Sequence, residues 1–239
     1  MEVLNGGYLV QLLFISLLDL VKKGTREMTT FTTEDRVAVQ QGTAEWHQLR
    51  LGKVTASRAA DILARTKTGP SASRQNYLIE LALQRTTGII QESYSNAAME
   101  WGTQTEPQAR VAYEVRTNNF VDQLAFVDHP SIDWFGCSPD GLVSDRGLVE
   151  IKCPNSTTHW EYFKFNRPPQ KYVIQMQAQM AVTNRDWCDF ISFDPRMPER
   201  SQLLIVRVDR DDAFIAEMEE QIKQFLSEVE VEVNLMKGS

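Results

Sequence analysis

The stretch that most limits what this chain can fold into runs from Ser138 to Lys152. Leu142-Val143 and Leu148-Val149-Glu150-Ile151-Lys152-Cys153 are apolar, β-branched runs on either side of a polar turn, Ser144-Asp145-Arg146-Gly147. That pattern predicts a β-hairpin. Its second strand is apolar enough to be buried, yet it carries Glu150 and Lys152. Strand side chains alternate with period two, so these two charges share one face while Ile151 turns into the core. Unpaired charges in a buried strand are expensive, and a metal site would account for them. Asp140 precedes Glu150 by ten residues, in a Ser-Pro-Asp-Gly turn expected to present it rather than bury it. Two carboxylates on neighbouring strands, with the Ile151 carbonyl, make an all-oxygen site suited to Mg²⁺. A lysine beside such a site can hold or deprotonate an attacking water. Against this stands the plain reading, a surface hairpin with solvated charges.

The chain has 239 residues and a net charge of −7, which weighs against indiscriminate binding of a polyanion. The distribution of charge changes that. Asp209 to Ser239 holds nine acids and three bases, −6 in all, so the remaining 208 residues carry only −1. Trp46 to Lys67 holds Arg50, Lys53, Arg58, Arg65 and Lys67 against Asp61 alone, a local +4. A basic patch on a near-neutral body can bind nucleic acid. Cys137, Cys153 and Cys188 stand singly, so a reducing cytoplasm is the expected compartment. They and the three histidines lack zinc-ligand spacing.

Tyr8 to Val21 is strongly apolar, but too short to span a membrane and interrupted by Gln11 and Asp19. Nor has it the basic start or cleavage site of a signal peptide. Two readings stay open: a helix packed on the body or a partner, or sequence upstream of a true start at Met28, which is favoured. Residues 1–40 are expected to form an extension outside the core, with Thr29 to Gln41 linker-like, and residues 41–239 a single domain. In that domain Ser57 is expected to cap a helix from Arg58 to Ala64, with another from Asn76 to Thr86. Lys67 to Ser73 and Gly88 to Ser95 read as loops. Pro107 marks the first turn of a helix ending near Arg116. Phe120 to Val127 reads as a strand. A helix over Tyr172 to Val182 and strands at Cys188–Phe193 and Leu203–Val208 follow, then an amphipathic helix from Asp211 to Leu226. The order predicts an α/β (α+β) fold with a mixed central sheet flanked by helices. Gln175 and Gln177 could contact phosphate from their helix; for Gln177 and Gln179 a solvated face fits equally well.

Several blocks in this order resemble the lambda-type (YqaJ-like) viral recombination exonucleases, a branch of the PD-(D/E)xK nuclease superfamily. They are Glu45-Trp46-His47-Gln48-Leu49-Arg50-Leu51-Gly52 with Thr55-Ala56-Ser57, Trp101-Gly102 with Glu106, Cys137-Ser138-Pro139-Asp140-Gly141, Glu150-Ile151-Lys152-Cys153-Pro154, Gln175-Met176-Gln177 and Asp194-Pro195-Arg196-Met197. The resemblance covers about Gln41 to Leu226. It implies that Asp140, Glu150 and the Ile151 carbonyl bind two Mg²⁺ ions (or Mn²⁺), with Asp140 between them. It implies catalytic roles for Lys152, at the attacking water, and for Glu106 and Gln175. Arg50, Ser57 and Ser138 would hold the 5′ phosphate of a DNA end, with Trp46 and Thr55 in the same DNA-binding set. Lys67 would approach substrate phosphates from a basic loop, and Met99 would be an apolar wedge between the strands or else a core residue.

The implied activity is a Mg²⁺-dependent 5′-to-3′ exonuclease on duplex DNA ends, releasing 5′ mononucleotides and leaving a 3′ single strand. A homotrimeric ring around the DNA, a single-strand annealing recombinase as partner and no membrane association come with it. A ring also answers the charge problem, since a substrate held topologically needs less Coulombic grip. Two other classes remain: a PD-(D/E)xK endonuclease of restriction or junction type, and a non-catalytic DNA-end-binding protein with structural carboxylates.

Overall fold

The computed structural model describes residues 39–67, 69–90 and 97–238. The apolar segment 8–21, Met28, residues 29–38 of the linker and 91–95 of the second loop lie outside the described residues. In chain order the elements are α1 (Ala44–Arg50), β1 (Val54–Thr55), a 3₁₀ turn (Ala56–Arg58), α2 (Ala59–Leu63), β2 (Arg65–Thr66), β3 (Gly69–Pro70), α3 (Ala72–Thr87) and α4 (Ala97–Thr117). Then come β4 (Val121–Asp122), β5 (Val127–Asp128), β6 (Phe135–Cys137), β7 (Gly141–Val143) and β8 (Gly147–Lys152). α5 (Ser156–Phe165), α6 (Gln170–Thr183), β9 (Trp187–Phe193), β10 (Leu203–Asp209) and α7 (Asp212–Lys237) complete the chain.

The central sheet has the order β10-β9-β8-β7-β4. β8 and β9 run parallel, with Glu150 opposite Phe190, and the other neighbours are antiparallel. The sheet is therefore mixed, as the sequence predicts. Its two faces bury different sets. Val149 and Ile151 pack with Val143 and Ile191 against Ala109 and Tyr113 of α4. Leu148 joins Leu142, Phe190, Met176 and Met180 on the α6 side. Period two along β8 thus puts Glu150, with Leu148, on the α6 side. At the hairpin turn, the buried Arg185 donates from one guanidinium nitrogen to the carbonyls of Ser144 (2.7 Å) and Gly147 (2.8 Å). A Cβ at Gly147 would collide with the Trp187 ring on the next strand, so this position takes no side chain.

A second, three-stranded sheet has the order β1-β6-β5, with β1 and β6 parallel and Thr55 opposite Gly136. It leads the chain through β6 directly into the Ser138–Asp140 segment.

Several expectations differ from what is observed. Ser57 does not cap α2: it lies in the 3₁₀ turn, its Oγ 3.2 Å from Thr55 Oγ1, and α2 starts after Arg58 with no side-chain cap. Pro107 lies inside α4, which begins at Ala97. Within the turns before the proline, Arg196 stacks on Trp101, 4.2 Å from the ring centroid. Phe120 to Val127 is not one strand. β4 pairs with β7 and β5 with β6, so the chain crosses from one sheet to the other between them. α5 has no counterpart among the predicted elements; Asn155 caps it by accepting from the Thr158 N–H (2.9 Å). α7 runs to Lys237 rather than stopping at Leu226. Its tail, Glu228-Val229-Glu230-Val231-Glu232-Val233, alternates like a strand. Yet Val229 and Val233 are four apart and extend the buried stripe of Ile215, Met218, Ile222 and Phe225. Each such buried side chain contributes about 1.5–3 kcal/mol. Among the described residues, no helix is long and apolar enough to cross a membrane.

Candidate active site

Glu150 is wholly buried and fully bonded. Its Oε1 accepts from Gln175 Nε2 (2.8 Å) and pairs with Lys152 Nζ (2.5 Å), and its Oε2 accepts from Gln179 Nε2 (2.7 Å). The charges in the strand are therefore compensated within the protein, by an ammonium and two amides from α6. Lys152 Nζ also lies 5.3 Å from the Tyr172 ring centroid. Burial pulls the Lys152 ammonium down, but the Glu150 and Asp140 carboxylates outweigh it and hold it above its ordinary value.

Asp140 sits across from β8, and its Oδ2 accepts from the Ile151 N–H (2.6 Å). The sequence predicts a turn that presents Asp140 rather than burying it; it is instead half-buried and bonded to the strand. Burial, then the neighbouring Glu150, push its carboxyl well above the usual carboxylate range, with Glu106 adding to them and Lys152 opposing. The segment also constrains its carbonyls: Gln41 Nε2 donates to Pro139 O (2.9 Å) and Leu124 O (2.8 Å). Glu106, on α4, is close enough to act on Asp140, while its own carboxylate is held by Arg110 (2.7 Å).

Among the described residues no three His, Cys, Asp or Glu side chains gather into a metal cluster. A cation here would rest on two carboxylates, main-chain oxygen and water, which is coordination that Mg²⁺ accepts. The donors are all oxygen, and crowded acids that raise the pKa of Asp140 are relieved by added positive charge. The residues fit a hard divalent cation.

A second cluster forms one loop away. Trp46 Nε1 donates to Ser138 Oγ (2.9 Å) and Ala125 O (3.0 Å). The Arg50 guanidinium stacks on Trp46, 3.9 Å from the ring centroid. Arg50 has no carboxylate partner among the described residues, and burial lowers its pKa, with Tyr77 opposing. Thr55 is buried beside Tyr77, whose hydroxyl accepts from the Thr55 N–H (3.1 Å). Ser57 is exposed and bonds Thr55 through its hydroxyl. A guanidinium with no carboxylate partner among the described residues, stacked on a tryptophan that also holds a serine hydroxyl, is chemistry suited to an anion.

The structure thus gathers Asp140, Glu150, Ile151, Lys152 and Gln175 in one cluster with Glu106 nearby, and joins Trp46, Arg50 and Ser138, and Thr55 and Ser57, by direct contacts. Lys67 lies exposed in the β2–β3 turn, and Met99 is exposed on the first turn of α4. Met99 is therefore not a core residue. Gln177 faces neither cluster: it donates to Asp209 O (2.8 Å) and accepts from the Asp211 N–H (2.9 Å), tying α6 to the start of α7. Gln179, for which a solvated face and the site fit the sequence equally well, is buried and donates to Glu150. Its spacing of four from Gln175, one helical turn, was the available signal.

The mixed sheet with an acid, then an acid-x-lysine strand, defines the PD-(D/E)xK class. Residues 45–186 match the model of the YqaJ-like viral recombinase domain. Two crystal structures of LHK-Exo, an alkaline exonuclease from Laribacter hongkongensis, one of them in complex with dAMP, are 52% identical to the chain with a TM-score of 0.76. The match covers 82% of this chain and 96% of that one. The chain belongs to the YqaJ-like viral recombinase family. A phage-related exonuclease from Haemophilus somnus, 18% identical with a TM-score of 0.56 over 78% of this chain and 95% of that one, shares the fold. Among curated proteins none matches.

Proposed function

We propose that this protein is a DNA exonuclease that digests one strand of linear duplex from a 5′-phosphorylated end, with Mg²⁺ as cofactor. The observation that carries the reading is the Ser138–Asp140 segment. It joins the Trp46–Arg50 cluster, through Ser138, to the acid-lysine cluster, through Asp140, within three residues. A site that grips a terminal phosphate at that distance from a hydrolytic centre measures from an end. The family membership and the 52% identical alkaline exonuclease support nuclease chemistry, and the dAMP bound to that protein is a nucleoside monophosphate, the class of product expected here.

In this reading Asp140, Glu150 and the Ile151 carbonyl would hold two Mg²⁺ ions, with Mn²⁺ able to replace them. The cations supply Lewis-acid activation of the scissile phosphate when bound. Gln175 and Gln179 hold Glu150 in place. Lys152 donates hydrogen bonds to the attacking water or the phosphate. Glu106, fixed by Arg110, adds negative charge beside Asp140. Arg50, Ser57 and Ser138, with Trp46 and Thr55, take the terminal phosphate, Lys67 meets the backbone, and Met99 parts the strands.

Linear duplex labelled at each end in turn tests this. Mononucleotide release is expected from the 5′-labelled strand first, abolished by EDTA and restored by Mg²⁺. Release from the 3′ label first, or cutting of covalently closed circles, would replace the reading with the other polarity or with an endonuclease.

We also infer a ring-shaped homotrimer, supported by the −7 net charge, which leaves little open-groove attraction for a polyanion. Sedimentation equilibrium is expected to give three times the chain mass; a monomer at micromolar concentration would remove the ring.

A further inference from the structure

We propose that Gln179 is a positioning residue: by holding Glu150 Oε2 it fixes the carboxylate so that Oε1 is the oxygen offered to a divalent cation. The inference rests on the cation-dependent reading above and concerns how this chain prepares one ligand.

Three of the four glutamines of α6, Gln175, Gln177 and Gln179, divide sharply. Gln177 points away and ties down the β10–α7 junction. Gln175 and Gln179, a turn apart, converge on Glu150 from one face of the helix. Their two bonds differ in surroundings. Oε1 is shared by Gln175 and Lys152, whose side chains are both half-buried and so have room to exchange partners. Oε2 meets Gln179, which is wholly buried. The Gln179 backbone is fixed as well, its carbonyl accepting from Thr183 Oγ1 (2.7 Å). One oxygen is therefore pinned and the other exchangeable.

Gln179 itself is an awkward core residue. Its Oε1 is buried with no hydrogen-bond partner among the described residues. An orphaned buried acceptor costs about 1–3 kcal/mol, and a methionine would fill nearly the same volume without it. What the amide does that methionine cannot is donate to Glu150. A partner behind a ligand typically governs metal affinity by about 10–100-fold, because it sets the ligand's orientation.

The test is calorimetric titration of Mn²⁺ into the full chain without DNA, wild type against Gln179→Met. Wild type is expected to bind and Gln179→Met to bind about tenfold or more weakly, with cleavage recovering to within about threefold of wild type at saturating Mg²⁺. Equal Mn²⁺ affinity overturns the inference, and so does a cleavage rate that stays low at saturation. If wild type binds no Mn²⁺, the cation-dependent reading falls first, which separates the two failures. Should Gln179→Met not fold by circular dichroism, Gln179→Asn, whose amide stops a methylene short of Glu150, is titrated instead. The same weakening is expected and unchanged affinity is again fatal.

Discussion

Lys152→Ala is expected to cut the cleavage rate about a thousandfold while leaving duplex affinity within about threefold, since a positioned proton-transfer or water-holding group contributes roughly 10²–10⁴. The ammonium sits at the end of β8, 2.5 Å from Glu150 Oε1, on a side chain only 28% exposed. It is one cation on a chain of 25 lysines and arginines, so little of the electrostatic grip on DNA depends on it. The anion pocket around Arg50 is untouched, and so is the basic β2–β3 turn. The fold should also survive. Removing one partner of a buried ion pair costs about 3–5 kcal/mol when the other is left bare. Glu150 keeps two amide donors, and the Lys152 side chain is 28% exposed, so a loss nearer 1–2 kcal/mol, about the worth of one charged hydrogen bond, is expected. Single-turnover cleavage of end-labelled duplex, anisotropy with unlabelled competitor and a thermal melt separate the three quantities. Binding that falls in step with the rate would make Lys152 a DNA contact rather than a catalytic residue.

The same residues show how much of the molecule the sequence displayed. Glu150 and Lys152 were legible because they break the apolar pattern of a strand, and a buried charge demands a reason. Their partner Gln179 was not, because an amide on a helix carries no such demand: the surface and the site fit equally well until the sheet is in place. Arg185 is harder still. It holds the turn of the charged hairpin through carbonyls 38 and 41 residues away, and a backbone acceptor leaves no mark on side-chain patterns. Length and spacing misled where tertiary contacts overrode local signals. Pro107 reads as a helix start, yet the helix begins ten residues earlier, where Trp101 carries a stacked Arg196. The Glu-Val alternation at the end of α7 hides two residues of a helical stripe. Phe120 to Val127 has strand composition because both of its short strands do, but they serve different sheets. What the pattern of residues displayed was the sheet and its charged hairpin; what it hid were the contacts that hold that hairpin still.

Arg50→Ala is expected to reduce the preference for 5′-phosphorylated over 5′-hydroxyl ends about tenfold or more, with the melting temperature almost unchanged. Both halves follow from the same geometry. The guanidinium is half-buried on the Trp46 ring and has no carboxylate partner among the described residues. Desolvation without a counter-ion is unfavourable, so the arginine adds little to stability beyond a cation–π contact worth about 0.5–1 kcal/mol. An incoming phosphate would supply the missing anion. A charge-assisted hydrogen bond contributes about 1.5–3 kcal/mol, which is a factor of roughly 10–150 in affinity for the phosphorylated end. On a hydroxyl end that interaction is absent in both proteins, so the variant should lose its rate only on the phosphorylated substrate. The Trp46 to Ser138 bond does not pass through Arg50, and the Asp140 segment should keep its place. Initial rates on the two substrates at sub-saturating DNA, for wild type and variant, give the ratio directly. An unchanged ratio would remove Arg50 from the pocket. A fall on both substrates together would make it a general DNA contact, and a large drop in melting temperature would make it structural.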